Sequence, residues 1–439
     1  MKIKTKTRLE IMILSILCVL CTPLLAQNLT DHSQTFEFRN GLWFDGKEFK
    51  PRTLYSVNAR FTTKAPPKID ETIDLKGGFV IPPFGDAHCH HFDGTYGLQE
   101  LINAYQKDGI FYAQTLCNPA KSGLEARPLL NLPNSIDVIQ AQACLTGNNS
   151  HPMDTYEGLA LGYYSFQQQE AHRKQVRDSR LQENNAYFII DNREDLQNKW
   201  QTYLDAKPQI LKVILLHSEN YARRKAQSGN GGGIDPSLLP EIVNRAHRVG
   251  LRVAAHVDSA FDYHAALISG VDVMAHLPGY YYGADDIDAE YTLSEADIAL
   301  TKKRGVFVIP TSNRIDLMDG GGGGSLGQRE KAKKMAIFNL NRLKKAGVKL
   351  LIGTDRYGMD SKLEAFYLQK MGVFTNLELL KAWCQDTPQS IFPKRKIGLL
   401  KEGYEASFLV LSENPIVDFH STEKIVLRFK QGQLVTLKQ

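Results

Sequence analysis

His88 and His90 stand two residues apart in the segment Phe84-Gly85-Asp86-Ala87-His88-Cys89-His90. In an extended chain, side chains two positions apart share a face, so both imidazoles can reach one ion. An isolated HxH pair is weak, because exposed histidine pairs match by chance. Three more groups of metal-binding type close apolar segments further on: His256 after 251–255, His276 after 271–275, and Asp355 after 348–352 by way of Gly353-Thr354. Read singly, each is an ordinary rim histidine or a capping aspartate. Read together, they form the set of nitrogen and oxygen donors that suits Zn²⁺, with Mn²⁺ or Co²⁺ as alternatives.

Lys212 lies inside Ile210-Leu211-Lys212-Val213-Ile214-Leu215-Leu216, whose neighbours require a buried strand. An unpaired buried ammonium costs several kcal/mol, so the group must be paired, neutralised or modified. Burial also depresses its pKa and frees an amine nucleophile. Three resolutions stay open: a salt bridge, a Schiff-base lysine, or reaction with carbon dioxide to give a carbamate, an anionic ligand able to bridge two cations.

The elements that must position these groups are apolar segments at 79–82, 110–115, 136–143, 210–216, 251–255, 271–275, 306–309 and 348–352. They alternate with amphipathic helices, the pattern of βαβ units. The best-marked helix has Asp235 as N-cap and Pro236 at its first position. Leu238, Leu239, Ile242, Val243 and Ala246 lie along one face, and Gly250 follows. Eight strands joined by helices have the size of a (β/α)8 TIM barrel, about 250 residues. The predicted fold class is therefore α/β, with the donors at the carboxyl ends of strands, where barrel enzymes build their sites. No glycine-rich nucleotide fingerprint follows any strand, which argues against a doubly wound open sheet.

Strand-like texture with turn residues also marks 27–80 and the end of the chain, so a small β-sandwich built from both ends is expected. The domain plan is 27–80 for its first part, 81–392 for the barrel and 393–439 for its second part. Residues 145–209 form an insertion with a polar, helical run over 165–183, a candidate lid or specificity element. Residues 320–325 read as an engineered linker or a native loop, with no chemistry assigned.

The HxH segment, Lys212, His256, His276 and Gly353-Thr354-Asp355 together resemble the amidohydrolase superfamily of binuclear metal hydrolases. Leu145-Thr146-Gly147 with His151-Pro152, and Gly398-Leu399-Leu400-Lys401-Glu402-Gly403 before Ala406-Ser407-Phe408, resemble its imidazolonepropionase-like and prolidase-like branch. The chain departs from that pattern at Pro83 and Leu277, where glycine is common in the family. The resemblance implies two divalent metal ions, Zn²⁺ first. His88, His90 and Asp355 would hold one, His256 and His276 the other, with carbamylated Lys212 and a hydroxide between them. It implies hydrolysis of an amide, peptide or cyclic-amide C–N bond, with Asp355 passing the proton to the leaving amine and Asp86 orienting a ligand histidine. An ester, lactone or phosphoester would suit the same hydroxide, and an inactive barrel used for binding is a further alternative. A Schiff-base aldolase centred on Lys212 leaves the histidines and Asp355 unexplained.

His151 and Tyr221 are candidate catalytic donors to the carbonyl oxygen. Arg223 and Arg314, with Arg224, are candidates for a substrate carboxylate, and Tyr280, Tyr281, Tyr282 and Tyr357 for the pocket wall. His91, His172, His247 and His264 are expected to be structural.

The composition, 43% hydrophobic and 23% charged, excludes a disordered or fibrous chain. Residues 1–26 have a basic start, an apolar run and Ala26 as a small-residue cut site, the pattern of a secretory signal, so a periplasmic or secreted protein is expected. Most of the net charge of +5 lies in that leader, which leaves no electrostatic case for nucleic acid. A small-molecule or short-peptide substrate is expected, with no membrane insertion after processing and a homo-oligomer left open. Cys89, Cys117, Cys144 and Cys384 remain after the leader, read mostly as buried thiols, with Cys117 and Cys144 at the ends of neighbouring strands.

Overall fold

The computed structural model describes residues 34–437, apart from 230, 284 and 320–324. The leader 1–26 and the glycines of 320–324 lie outside the described residues.

Three sheets organise the chain. The first draws strands from both ends: Phe36–Phe44, Phe49–Val57, Arg60–Thr62, Glu71–Asp74 and Phe79–Ile81 from one, Phe408–Leu411, Ile425–Lys430 and Gln433–Leu434 from the other. They are hydrogen-bonded as one continuous eight-stranded sheet. The seam is antiparallel, with Val80 opposite Val410. Phe36 lies three strands away from Phe429 in the sheet order, yet their ring centroids are 5.1 Å apart. Strands spaced about 4.8 Å apart cannot bring those rings together in a flat sheet, so the sheet curls over an aromatic core. Phe38, Trp43, Phe61 and Phe408 complete that core.

The other two sheets are wholly parallel. One runs Phe84–Cys89, Ile110–Thr115, Asp137–Gln140; the other runs Tyr187–Ile189, Cys144–Thr146, Leu211–Ile214, Val253–His256, Val273–Ala275, Phe307–Ile309. Nearly every residue in them is buried, as expected when both faces are covered, and this is why the strands read as unbroken apolar runs. Main-chain bonds outside the regular ladders join the two sheets. Gln209 N–H donates to the Gln140 carbonyl (2.9 Å) on one side. On the other, Leu351 N–H donates to Val308 (2.8 Å) and Ala87 N–H to Ile352 (2.8 Å).

Two strand expectations are corrected. Residues 79–81 belong to the mixed sheet, and the parallel strand is Phe84–Cys89, which carries His88 itself. Pro82 and Pro83 separate the two, because proline has no N–H to continue a ladder. Residues 348–352 form no regular strand and make one isolated bridge, Leu350 with Val308, held by two main-chain bonds on that side and by Ala87 N–H on the other.

The insertion holds the helices Met153–Ala160, Phe166–Ala171, Arg173–Asp178 and Arg193–Asp205. The expected run over 165–183 breaks at His172, which ends one helix and begins the next. Buried Glu157 gathers it by accepting from Tyr187 Oη (2.6 Å), Leu181 N–H (2.9 Å) and Gln182 N–H (2.7 Å). After Asp235 the helix opens with a 3₁₀ turn, Pro236–Leu238, before Leu239–Arg248 buries Leu239, Ile242, Val243 and Ala246. No described helix is long and apolar enough to cross a membrane.

An ion network joins the mixed sheet to the parallel strands. Lys430 Nζ lies 2.6 Å from Asp137 Oδ1, with both side chains fully buried, and Arg395 reaches Asp137 and Glu405 at 2.7 Å each.

Candidate metal centre

The strand Phe84–Cys89 and the segment carrying Asp355 are locked together through their backbones. Asp86 is fully buried. It accepts from His88 N–H (3.2 Å), Thr354 N–H (3.1 Å), Thr354 Oγ1 (2.6 Å) and Tyr105 Oη (3.3 Å). It therefore grips the main chain beside His88; the expectation that it orients a ligand imidazole is corrected. Burial pushes its pKa up to about 6. Asp355 N–H in turn donates to the His88 carbonyl (2.6 Å). Gly353 permits this approach, since a Cβ there would stand 2.7 Å from His88 N.

Asp355 Oδ1 lies 2.7 Å from His90 Nε2 and 3.2 Å from His88 Nε2; its Oδ2 lies 3.7 Å from His276 Nδ1 and 3.1 Å from Arg314 Nη1. His88, His276 and Asp355 offer donor atoms that all fall within 4.8 Å of one another. The His256 ring is 4.3 Å from that of His276. Its Nε2 lies 2.9 Å from Asp258 Oδ1, which also accepts from Tyr280 Oη at 2.8 Å. His276 and Asp355 have φ of 112° and 51°, unusual for side chains of their size. The bond from His276 N–H to Ile309 (3.0 Å) and that from Asp355 N–H to His88 hold them there.

Lys212 is 2% exposed, and its Nζ has no hydrogen-bond partner among the described residues. Burial lowers its pKa to about 7, against the opposing pull of Asp355. Burial also holds the imidazoles of His88 and His276 well below their ordinary range, so both are neutral. For Asp355 burial acts upward, but Arg314 and the neighbouring imidazoles outweigh it and keep the carboxyl ionised. Neutral imidazoles and a carboxylate are the protonation states a divalent cation binds, so this donor set fits one.

His88, His90, Lys212, His256, His276 and Asp355 all line one cavity of about 560 Å³. His151, Tyr280, Arg314 and Tyr357 line it too. The His151 ring lies 5.4 Å from that of His256, and Tyr357, 53% exposed, lies 5.4 Å from His90. Tyr221 and Arg223 are not brought there. The chain turns away at His217, and both residues enter the helix Tyr221–Ser228. Lys225 donates to Tyr221 Oη (3.1 Å), and Arg223 donates to Asn220 Oδ1 (2.6 Å). Arg224 is likewise spent on the carbonyls of Leu216 and His217.

Sequence reasoning missed Asp258, Thr311, Tyr156 and Arg356. Thr311 Oγ1 lies 2.7 Å from His276 Nδ1, and Tyr156 Oη donates to the Cys117 carbonyl (2.9 Å) that also faces His90 Nδ1 (3.3 Å). Asp258 carried a signal, since it stands two residues after His256, at the end of the same apolar run. Cys117 is disulfide-bonded to Cys144, correcting the reading of these two as thiols, while Cys89 and Cys384 are buried and free. His91 is buried between Tyr105 Oη (2.9 Å) and Gly358 N–H (2.8 Å); His247 pairs with Asp272 and His264 with Asp297.

The amidohydrolase family model matches residues 182–435, a stretch that includes Lys212, His256, His276 and Asp355. Ochratoxinase of Aspergillus niger is 28% identical over 234 residues, 51% of this chain and 46% of that protein, so the match spans about half of the relative's length. The crystal structure of A. niger ochratoxinase superposes with a TM-score of 0.70 at 18% identity, covering 91% of this chain and 95% of that one. A Xaa-Pro dipeptidase with bound methionine superposes with a TM-score of 0.66 at 17% identity, covering 91% and 99%. These superpositions show a TIM-barrel-like α/β fold with an added β-rich region. A family match over more than half of its residues means that the chain belongs to the amidohydrolase family.

Proposed function

We propose that this chain is an exported, metal-dependent hydrolase that cleaves the C–N bond of a small amide or short peptide. The observation that carries the reading is the buried, unpartnered amine of Lys212 on the same cavity as His88, His90, His256, His276 and Asp355. His88, His90 and Asp355 would hold one divalent cation, and His256 and His276 a second, with Lys212 as the carbamate between them. Bound there, such cations acidify water and polarise a carbonyl. Asp355, kept ionised by Arg314, takes the proton and delivers it to the leaving nitrogen. His151 and Tyr280 flank the place a carbonyl oxygen would occupy, with the Tyr280 hydroxyl steered by Asp258. Kinship with proteins named for ochratoxin and Xaa-Pro dipeptide cleavage favours an amide substrate.

In this reading the two parallel sheets act as one (β/α)8 barrel over 81–392, and 27–80 with 393–439 form its companion β-module. The disulfide between Cys117 and Cys144 supports export, because such bonds persist in oxidising compartments.

The test is metal analysis of purified protein beside a screen of dipeptides and N-acyl amino acids. Bound divalent metal, amide turnover, loss of both on chelation and recovery on adding metal back are expected. Full turnover in demetallated protein overturns the reading.

A further inference from the structure

The charged groups facing the cavity do not balance. Asp355, the one carboxylate among its lining residues, already faces the guanidinium of Arg314 (3.1 Å). Arg314 turns its Nη1 to Asp355 twice, since it also donates to the Asp355 carbonyl (2.9 Å), while its Nε is buried without a partner. Lys212 is committed in the reading above. What remains is Arg356: half-buried, on the cavity wall, with no hydrogen-bond or ion-pair partner among the described residues. Three other half-buried arginines are paired: Arg245 holds Glu241, Arg342 holds Glu295, and Arg395 holds Asp137 and Glu405. A guanidinium in a concave, partly dry site is a fork for a planar anion.

The geometry points to Arg356 as the residue that seats a carboxylate of the substrate, and so to amides whose leaving amine belongs to an amino acid: N-acyl amino acids or dipeptides. In such a molecule the carboxylate carbon is two bonds from the leaving nitrogen. That short span matches an anchor adjacent in the chain to Asp355, the group proposed to protonate that nitrogen. Pro152, Leu116, Ile214 and Leu216, also on the wall, suit an apolar side chain or acyl group. The inference rests on the hydrolytic reading and deepens it. It moves the carboxylate role from Arg223 and Arg314, where the sequence alone put it, to Arg356.

The test uses hippuryl-L-phenylalanine and its C-terminal carboxamide, with binding read by calorimetry on demetallated protein and turnover on the metal-loaded enzyme. Wild type is expected to bind the acid about 10- to 100-fold more tightly than the carboxamide, the range for a hydrogen bond to a charged group. Arg356→Gln should erase that difference through the acid alone, and Arg356→Lys should restore part of it. Arg356 has no partner to lose, so an unchanged melting temperature is expected for both variants. Equal binding of the two ligands by wild type, or an equal loss of both in Arg356→Gln, overturns the inference. Turnover that ignores Arg356 removes the anion seat and leaves amide hydrolysis standing. Arg356-dependent binding without metal-dependent turnover does the reverse.

Discussion

Lys212 is where the energetic conflict of the site is sharpest, because its ammonium has no hydrogen-bond partner among the described residues and the pull of Asp355 does not offset its burial. With a pKa lowered to about 7, the amine is mostly neutral above that pH and mostly charged below it. Only the neutral amine adds carbon dioxide. Reconstitution of metal-free protein with a divalent cation at a fixed concentration of dissolved carbon dioxide should therefore slow about tenfold per unit as pH falls below 7, and level off above it. Stopped assays after timed reconstitution check this, and a rate independent of pH across that range would argue against a free amine there. Lys212→Ala is expected to lower kcat by at least about 100-fold and to lose metal, with partial recovery in short carboxylates that can occupy the bridging position. Asp258 makes a separate case. Its carboxylate binds both His256 and Tyr280, so Asp258→Asn should cut kcat/KM by about 10- to 100-fold while leaving the fold intact by circular dichroism.

At the scale of elements, the site depends on how closely residues 353–355 pass the strand Phe84–Cys89. A Cβ on Gly353 would stand 2.7 Å from both His88 N and Ile309 Cγ2. Gly353→Ala must push the segment away from His88, at a cost of about 1–3 kcal/mol, and should reduce metal affinity more than it reduces the denaturation midpoint. Equilibrium unfolding and metal titration on the same variant separate the two effects. This level also shows why parts of the sequence are legible and others are not. His256, His276 and Asp355 stand out because each polar group ends an apolar run, and burial on both sheet faces makes such runs conspicuous. The strand Ile110–Thr115 is readable to the residue for the same reason. Loop direction is not encoded that way. Tyr221 and Arg223, like Asp258, follow a strand, but the turn at His217 comes first and carries them off into a helix. Pairing at 79–81 is set by a partner more than three hundred residues later, which no local pattern can announce.

Across the whole molecule, Asp137, Lys430, Arg395 and Glu405 fasten the mixed sheet to the parallel strands. Asp137→Ala would leave the ammonium of Lys430 buried without its counter-charge, so a loss of about 3–5 kcal/mol is expected in guanidinium unfolding. The double variant Asp137→Leu with Lys430→Met should lose less than Asp137→Ala, because no charge is then stranded; an equal loss would locate the stability elsewhere. The same joining of distant segments bears on biogenesis. Phe79–Ile81 waits for Phe408–Leu411 to pair with it, so that hydrogen-bonding edge stays open on the ribosome until more than three hundred further residues have been made. The nascent polypeptide thus cannot complete its sheet early, and until the second segment arrives the open edge is free to pair with other chains.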